Sequence, residues 1–227
     1  MGRPRRVVRG GYVYHVLNRA NGRVPIFQKG GDYAAFERVL ADALEHVPGM
    51  RLLAYCLMPN HWHLVLWPKR EGELSDFGHY LTLTHTQRWH AHYQNVGTGH
   101  LYQGRFKSFP VARDDHYFQA CRYVERNALR ARLVKKAQAW PWGSLWRRQQ
   151  QEDELQLLSE GPLALPGNWV EEVNKPQTEG ELAALRQSVR RGRPYGNETW
   201  VDRVVRKLGL ESTMRPQGRP RKARNGS

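Results

Sequence analysis

Two histidines one residue apart, His61 and His63, sit in an apolar run that reads His61-Trp62-His63-Leu64-Val65-Leu66-Trp67. If the run is a strand, its period of two turns both imidazoles to one face and Trp62, Leu64 and Leu66 to the other. Paired imidazoles suit a first-row divalent cation, and one added oxygen ligand would leave positions open for substrate oxygens. Two ordinary sheet histidines would show the same spacing. Far downstream, Tyr123 and Asn127 stand four apart, so a hydroxyl and an amide project together from a helix. With a metal pair elsewhere in the chain, that phenol becomes a candidate reactive group; without one it would read as a rim tyrosine.

The elements that must position these groups follow from pattern. Residues 11–18 are β-branched and aromatic and read as a strand. A helix capped by Asp32 follows, with Tyr33, Phe36, Leu40, Ala43, Leu44 and Val47 at helical spacing until Pro48-Gly49. Residues 51–58 and 61–67, joined through Pro59-Asn60, form a hairpin. A second helix runs from Leu74 to Tyr93, with Leu74, Phe77, Leu81, His85 and Trp89 along one side. A fourth strand, 106–111, carries Pro110 and so belongs at an edge or bulge. A third helix, 114–129, buries Tyr117, Cys121, Val124 and Ala128, with Tyr123 turned about 100° from that stripe. The order β-α-β-β-α-β-α predicts an α+β fold, a ferredoxin-like split βαβ antiparallel sheet with an added helix.

The composition shifts near residue 150, which divides the chain into a catalytic domain, 1–150, and a helical C-terminal extension, 151–227. In the extension, Leu182, Leu185 and Val189 mark one helix, and Trp200, Val201, Val204, Val205 and Leu208 another. A basic tail follows, with Arg219, Arg221 and Lys222. The extension reads either as a cap on the core or as a DNA contact or access control.

The chain has 227 residues, with 36 Lys and Arg against 21 Asp and Glu, a formal charge of +15. Such a surface seeks a polyanion, and nucleic acid fits best because guanidinium forks grip phosphate and release its counterions. The basic residues are spread along the chain rather than along one amphipathic helix, which argues against a membrane surface. Cys56 and Cys121 lie in apolar segments and read as buried, reduced thiols. No run nears the ~20 apolar residues of a bilayer span, and Met1-Gly2-Arg3-Pro4-Arg5-Arg6 has no secretory apolar stretch. The expected location is the cytoplasm.

Met58-Pro59-Asn60-His61-Trp62-His63-Leu64, followed by Arg122-Tyr123-Val124-Glu125-Arg126-Asn127-Ala128-Leu129-Arg130-Ala131, resembles the single-tyrosine HUH transposases. The chain looks most like their REP-associated tyrosine transposases. Tyr14-His15-Val16-Leu17-Asn18-Arg19, Gly104-Arg105-Phe106-Lys107-Ser108, Trp140-Pro141-Trp142-Gly143-Ser144, Arg193-Pro194-Tyr195-Gly196 and Gly218-Arg219-Pro220-Arg221 agree with it. The resemblance implies the HUH fold, with His61 and His63 as metal ligands, Asn127 as the third, and Tyr123 as nucleophile. Related sequences have Asn-Pro where this chain has Asn127-Ala128, and alanine continues a helix that proline would constrain.

The implied chemistry is metal-dependent transesterification of single-stranded DNA. A phenol with a reference pKa of about 10 needs help to attack phosphorus, and Mg²⁺ or Mn²⁺ on a non-bridging oxygen would supply it. One phosphodiester is exchanged for another, so no nucleotide cofactor is required. The implied partner is a hairpin of a repetitive extragenic palindrome, bound by a monomer or homodimer. Arg5, Arg6, Arg9, Arg19, Arg105, Lys107, Arg219, Arg221 and Lys222 are candidate backbone contacts, and Trp140 a stacking platform; Trp142 and Trp146 read as packing residues. A hairpin-binding regulator without cleavage and a nuclease that activates water remain the alternatives.

Overall fold

The computed structural model describes residues 8–150 and 153–215. Four strands, β1 (Val13–Arg19), β2 (Met50–Met58), β3 (His61–Pro68) and β4 (Lys107–Val111), form one sheet in the order β2-β3-β1-β4. Each neighbouring pair is antiparallel. Helix α1 (Gly30–His46) joins β1 to β2, and α2 (Glu73–His92) joins β3 to β4. The hairpin strand β3 lies between β1 and β2, which is the split βαβ arrangement.

Strand alternation sorts the core into two layers. Tyr14, Val16, Trp62, Leu64 and Leu66 pack with α1 and α2 on one face. Val13, Val65, Phe109 and Val111 pack on the other face with α3 (Asp115–Glu125). The register of β2 shifts between Leu52 and Ala54, a bulge that turns both Leu53 and Ala54 toward the α3 layer. Trp62 is fully buried and donates its indole N–H to the Tyr102 hydroxyl at 3.0 Å. This fixes β3 from the side opposite its histidines.

Two local expectations are corrected. Asp32 does not sit at the cap position of α1: Lys29 does, and Asp32, three residues in, accepts from the Gln28 and Lys29 N–H groups at 2.7 and 3.1 Å. The third helix is not continuous to residue 129. It stops at Glu125, Arg126 forms a turn, and α4 (Asn127–Arg130) restarts the helix.

After α4 come α5 (Ser144–Arg147), α6 (Trp169–Asn174), α7 (Glu179–Arg191), α8 (Glu198–Leu208) and α9 (Glu211–Met214). The helices marked by Leu182, Leu185 and Val189 and by Trp200 to Leu208 are α7 and α8. Beyond residue 150, Leu157 enters the α1/α2 layer, whereas Trp169, Val173, Leu185 and Tyr195 enter the α3 layer. Both cysteines are buried and free, and burial pushes the Cys56 thiol up to about 12.

Candidate active site

Strand alternation places His61 and His63 on the α3 face of β3, with ring centroids 5.0 Å apart. Across the sheet, β1 brings a third imidazole. His15 is fully buried, and its Nε2 lies 2.8 Å from His63 Nδ1. The pairing register sets this contact: His63 lies opposite Leu17, so His15 is its diagonal neighbour on the same face.

Tyr123 comes from α3 and closes the cluster. Its ring centroid is 6.0 Å from that of His63 and 5.8 Å from that of His15, and the residue is 6% exposed. Arg130, two turns further along, places its guanidinium carbon 4.0 Å from the Tyr123 ring centroid, with Nη1 3.4 Å from the Tyr123 carbonyl. A cation over an aromatic face is attracted by its π density. Here it also fixes the ring relative to its own backbone.

Burial keeps the imidazoles neutral. It pushes His61 down to about 4, with Arg19 and Arg130 adding to the effect. His15 falls to about 3, again by burial first and Arg130 second. His63 lies well below the usual range through burial, His15 and His61. Neutral imidazole is the form that donates a lone pair to a metal.

Neutral imidazoles paired on one face are donors of the kind a divalent cation takes. The His61 Nδ1 lies 2.7 Å from Asn60 Oδ1, an acceptor, so the ring proton sits on Nδ1 and Nε2 keeps its lone pair. His63 can do the same if Nδ1 donates to His15 Nε2. That assignment puts a proton on His15 Nδ1, a buried atom with no partner. Asn127 is 5% exposed and its Nδ2 is a second buried atom with no partner. An amide flip would present Oδ1 there instead. No carboxylate or thiol joins the pair: among the described residues no group of three His, Cys, Asp or Glu could hold a metal.

The candidate DNA contacts are distributed unevenly. Arg19 pairs in register with His61, so it borders the cluster. Arg105 and Lys107 are exposed along the approach to β4. Arg9 lies before the other end of β1, in an ion pair with Glu71 at 2.6 Å. Trp140 is half-buried, donates its indole N–H to the Leu57 carbonyl at 2.9 Å and meets Tyr33 edge-on. Trp142 stacks on Tyr33, with centroids 4.9 Å apart. Arg5, Arg6, Arg219, Arg221 and Lys222 lie outside the described residues.

Sequence reading missed His15 and Arg130. For His15 the signal was its place on a strand of the same parity once β1 pairs with β3. For Arg130 it was the seven-residue spacing from Tyr123, the same face two turns on.

Fold and face together define an α+β protein whose histidine strand and tyrosine helix meet on one side of a four-stranded antiparallel sheet. The model of the IS200-like transposases matches residues 9–127, more than half of the chain, and the chain belongs to that family. Membership implies tyrosine-dependent action on single-stranded DNA and a divalent metal. Among solved structures, the chain is similar to a REP-associated tyrosine transposase bound to a REP hairpin. They share 18% identity and a TM-score of 0.48, over 65% of this chain and 84% of that one. It is also similar to a transposase from Deinococcus radiodurans R1, at 18% identity and a TM-score of 0.39, over 59% of this chain and 92% of that one. None of the curated proteins compared with the chain matches it.

Proposed function

We propose that this protein nicks and rejoins single-stranded DNA at palindromic, REP-type hairpins through a 5′-phosphotyrosine intermediate. The observation that carries the reading is the convergence of Tyr123 with His63, ring centroids 6.0 Å apart, on the face that also bears His61. The hairpin as partner rests on the sequence resemblance to REP-associated transposases. Residues 1–150 are the catalytic part and 151–227 an extension, of which Trp169, Val173, Leu185 and Tyr195 pack into the α3 layer.

Tyr123 Oη attacks the phosphorus, its bond to the 3′-oxygen breaks, and the 5′-phosphate stays on the phenol. The proton lost by the phenol is balanced by the one gained at the leaving 3′-oxygen. The energy of one ester bond is kept in the other, so rejoining is the same step reversed by a 3′-hydroxyl. His61, His63 and the Asn127 amide would hold Mg²⁺ or Mn²⁺, which supplies Lewis-acid stabilisation of charge on the phosphoryl oxygens. Arg130 adds a fixed positive charge at the tyrosine ring, and Arg19 another beside His61. The loss of one such stabilising group typically costs ~10²- to 10³-fold in rate.

The test uses hairpin DNA labelled at either end, incubated with Mg²⁺ or Mn²⁺ and resolved under denaturing conditions. A protein-linked species should carry the fragment downstream of the cut. It should vanish in Tyr123→Phe and fall at least ~100-fold in His61→Ala. Full cleavage by Tyr123→Phe to free products would make water the nucleophile, and tight binding with no adduct would make the protein a hairpin-binding regulator.

A further inference from the structure

The imidazoles and Tyr123 account for breaking a phosphodiester and leave open how the strand reaches them. A cleft of about 810 Å³ adjoins the cluster. Its floor includes Leu17 and Arg19, which share the sheet face of His15 and stand opposite His63 and His61 in the β1–β3 register. One wall is the segment leading into β4. The other is the last turn of α7, contributed by the C-terminal extension.

Six cations line this cleft, namely Arg19, Arg23, Arg105, Lys107, Arg190 and Arg191, and no described Asp or Glu does. Elsewhere on the molecule several basic side chains are taken by carboxylates: Arg9 by Glu71, Arg88 by Asp42, Arg147 by Glu37, and Lys175 by Glu172. Among the described residues no ion pair involves Arg19, Arg23, Lys107 or Arg190. Arg191 instead donates to the Arg215 carbonyl. Gly192, at a φ of 74°, stops α7 in the left-handed conformation, with the Ser108 carbonyl of β4 only 3.8 Å from where a Cβ would stand. Helix α7 therefore ends beside β4, with Arg190 and Arg191 in its last turn.

The lining decides how such a cleft can hold a ligand. Among the described residues Phe106 is its only aromatic lining residue, and it is buried, with its ring filling the space where a Cβ on Gly78 would stand. With no exposed ring among those residues to stack a base, the cleft's six cations are the main grip it offers a polyanion, beside the polar side chains of Asn18, Gln103 and Ser108.

We infer that this cleft is the track for the single strand flanking the scissile phosphate, held chiefly by its phosphodiester backbone, and that α7 of the extension is one of its walls. The inference rests on the proposed function for its substrate. The extension is thereby part of the DNA-binding surface. A single strand is the occupant because the proposed reaction acts on single-stranded DNA and the cleft meets its residues through Leu17 and Arg19, the register partners of His63 and His61.

The test measures the binding of hairpin-free oligonucleotides to full-length protein by fluorescence anisotropy across salt concentrations. Arg23→Ala/Arg190→Ala is compared with Arg203→Ala/Arg206→Ala, an equal loss of charge from exposed positions of α8 outside the cleft. All variants are made on Tyr123→Phe, so that binding is read apart from cleavage. The cleft pair should weaken binding by about tenfold or more at low salt and lower the salt slope by about 1.4, whereas the α8 pair should change neither. The loss caused by the cleft pair should be alike for oligonucleotides of equal length and different sequence. Equal losses from both pairs, an unchanged cleft pair, or a loss confined to one oligonucleotide sequence would each overturn the inference. If the wild-type protein formed no covalent adduct while the cleft pair still weakened binding, the proposed reaction would fail and the strand track would stand.

Discussion

His63 can offer Nε2 to a cation only while its own proton stays on Nδ1, and among the described residues the atom placed to receive that proton's hydrogen bond is His15 Nε2 at 2.8 Å. Loss of such an orienting partner typically weakens metal affinity by 10- to 100-fold. His15→Phe keeps an aromatic ring against Phe109 and Tyr123 but cannot accept, whereas the side-chain oxygen of His15→Gln can. Calorimetry with Mn²⁺ should therefore show His15→Phe weakened by ~10- to 100-fold and His15→Gln restored most of the way. Equal affinities in the two variants would remove His15 from the site. The same residues show what the sequence could reveal. His61, His63 and Tyr123 were legible because residue type and strand or helix period suffice to align them. His15 was not, because its value depends on a pairing register between strands distant in the chain. Arg130 lay beyond the i+4 spacing that drew attention to Asn127.

Sheet edges explain two motifs whose residue types carry no obvious chemistry. β2 and β4 are the edge strands, and an edge left open is a template for pairing with other chains. The Trp-Gly-Ser segment covers β2: Leu57 N–H donates to the Trp142 carbonyl at 2.9 Å, and Tyr55 N–H to Ser144 Oγ at 3.0 Å. The Pro-Tyr-Gly segment covers β4, with Tyr195 N–H donating to the Pro110 carbonyl and its own carbonyl accepting from Ala112, both at 2.8 Å. Ser144 is the more exacting cap, because its hydroxyl also meets the buried Glu125 carboxylate at 2.5 Å. Glu125 in turn accepts from the Trp169 indole at 2.6 Å and so ties α6 to the tyrosine helix. Ser144→Ala would leave the Tyr55 N–H buried without an acceptor and strip one donor from Glu125. Urea unfolding should show a loss of about 1–3 kcal/mol with an unchanged denaturant slope; a shift within experimental error would show that the cap contributes nothing. Helix and strand periods gave these elements to within a few residues. The turn at Arg126 was not legible, since Arg126, Asn127 and Ala128 all tolerate a helix and only the packed environment stops it there.

The molecule as a whole buries imidazoles in both layers, and this sets its response to acid. His15, His61 and His63 belong to the α3 face. His85 lies in the α1/α2 layer, with Nδ1 2.7 Å from the Tyr102 hydroxyl, and burial pushes it down to about 3 despite the opposing pull of Asp32. In each case the folded value lies below the ~6.5 of an unfolded chain. Between those values the unfolded state binds the proton and the folded state does not, so stability is full above about pH 6.5 and falls as the pH drops below it. Each such histidine contributes a loss of about 1.4 kcal/mol per pH unit in that window. Asp32, which despite burial is held low by Tyr93 and two backbone N–H groups, gives up its share only below the ordinary carboxylate value and so outside this window. Urea midpoints measured with chelator from pH 7 to 4.5 should thus fall steeply in the wild-type protein. In His85→Gln, which can still meet Tyr102 but cannot titrate, the slope should be shallower by one histidine's share. An identical slope in the two proteins would mean that His85 takes up its proton without unfolding the layer around it, and that the acid sensitivity belongs to the α3 face alone.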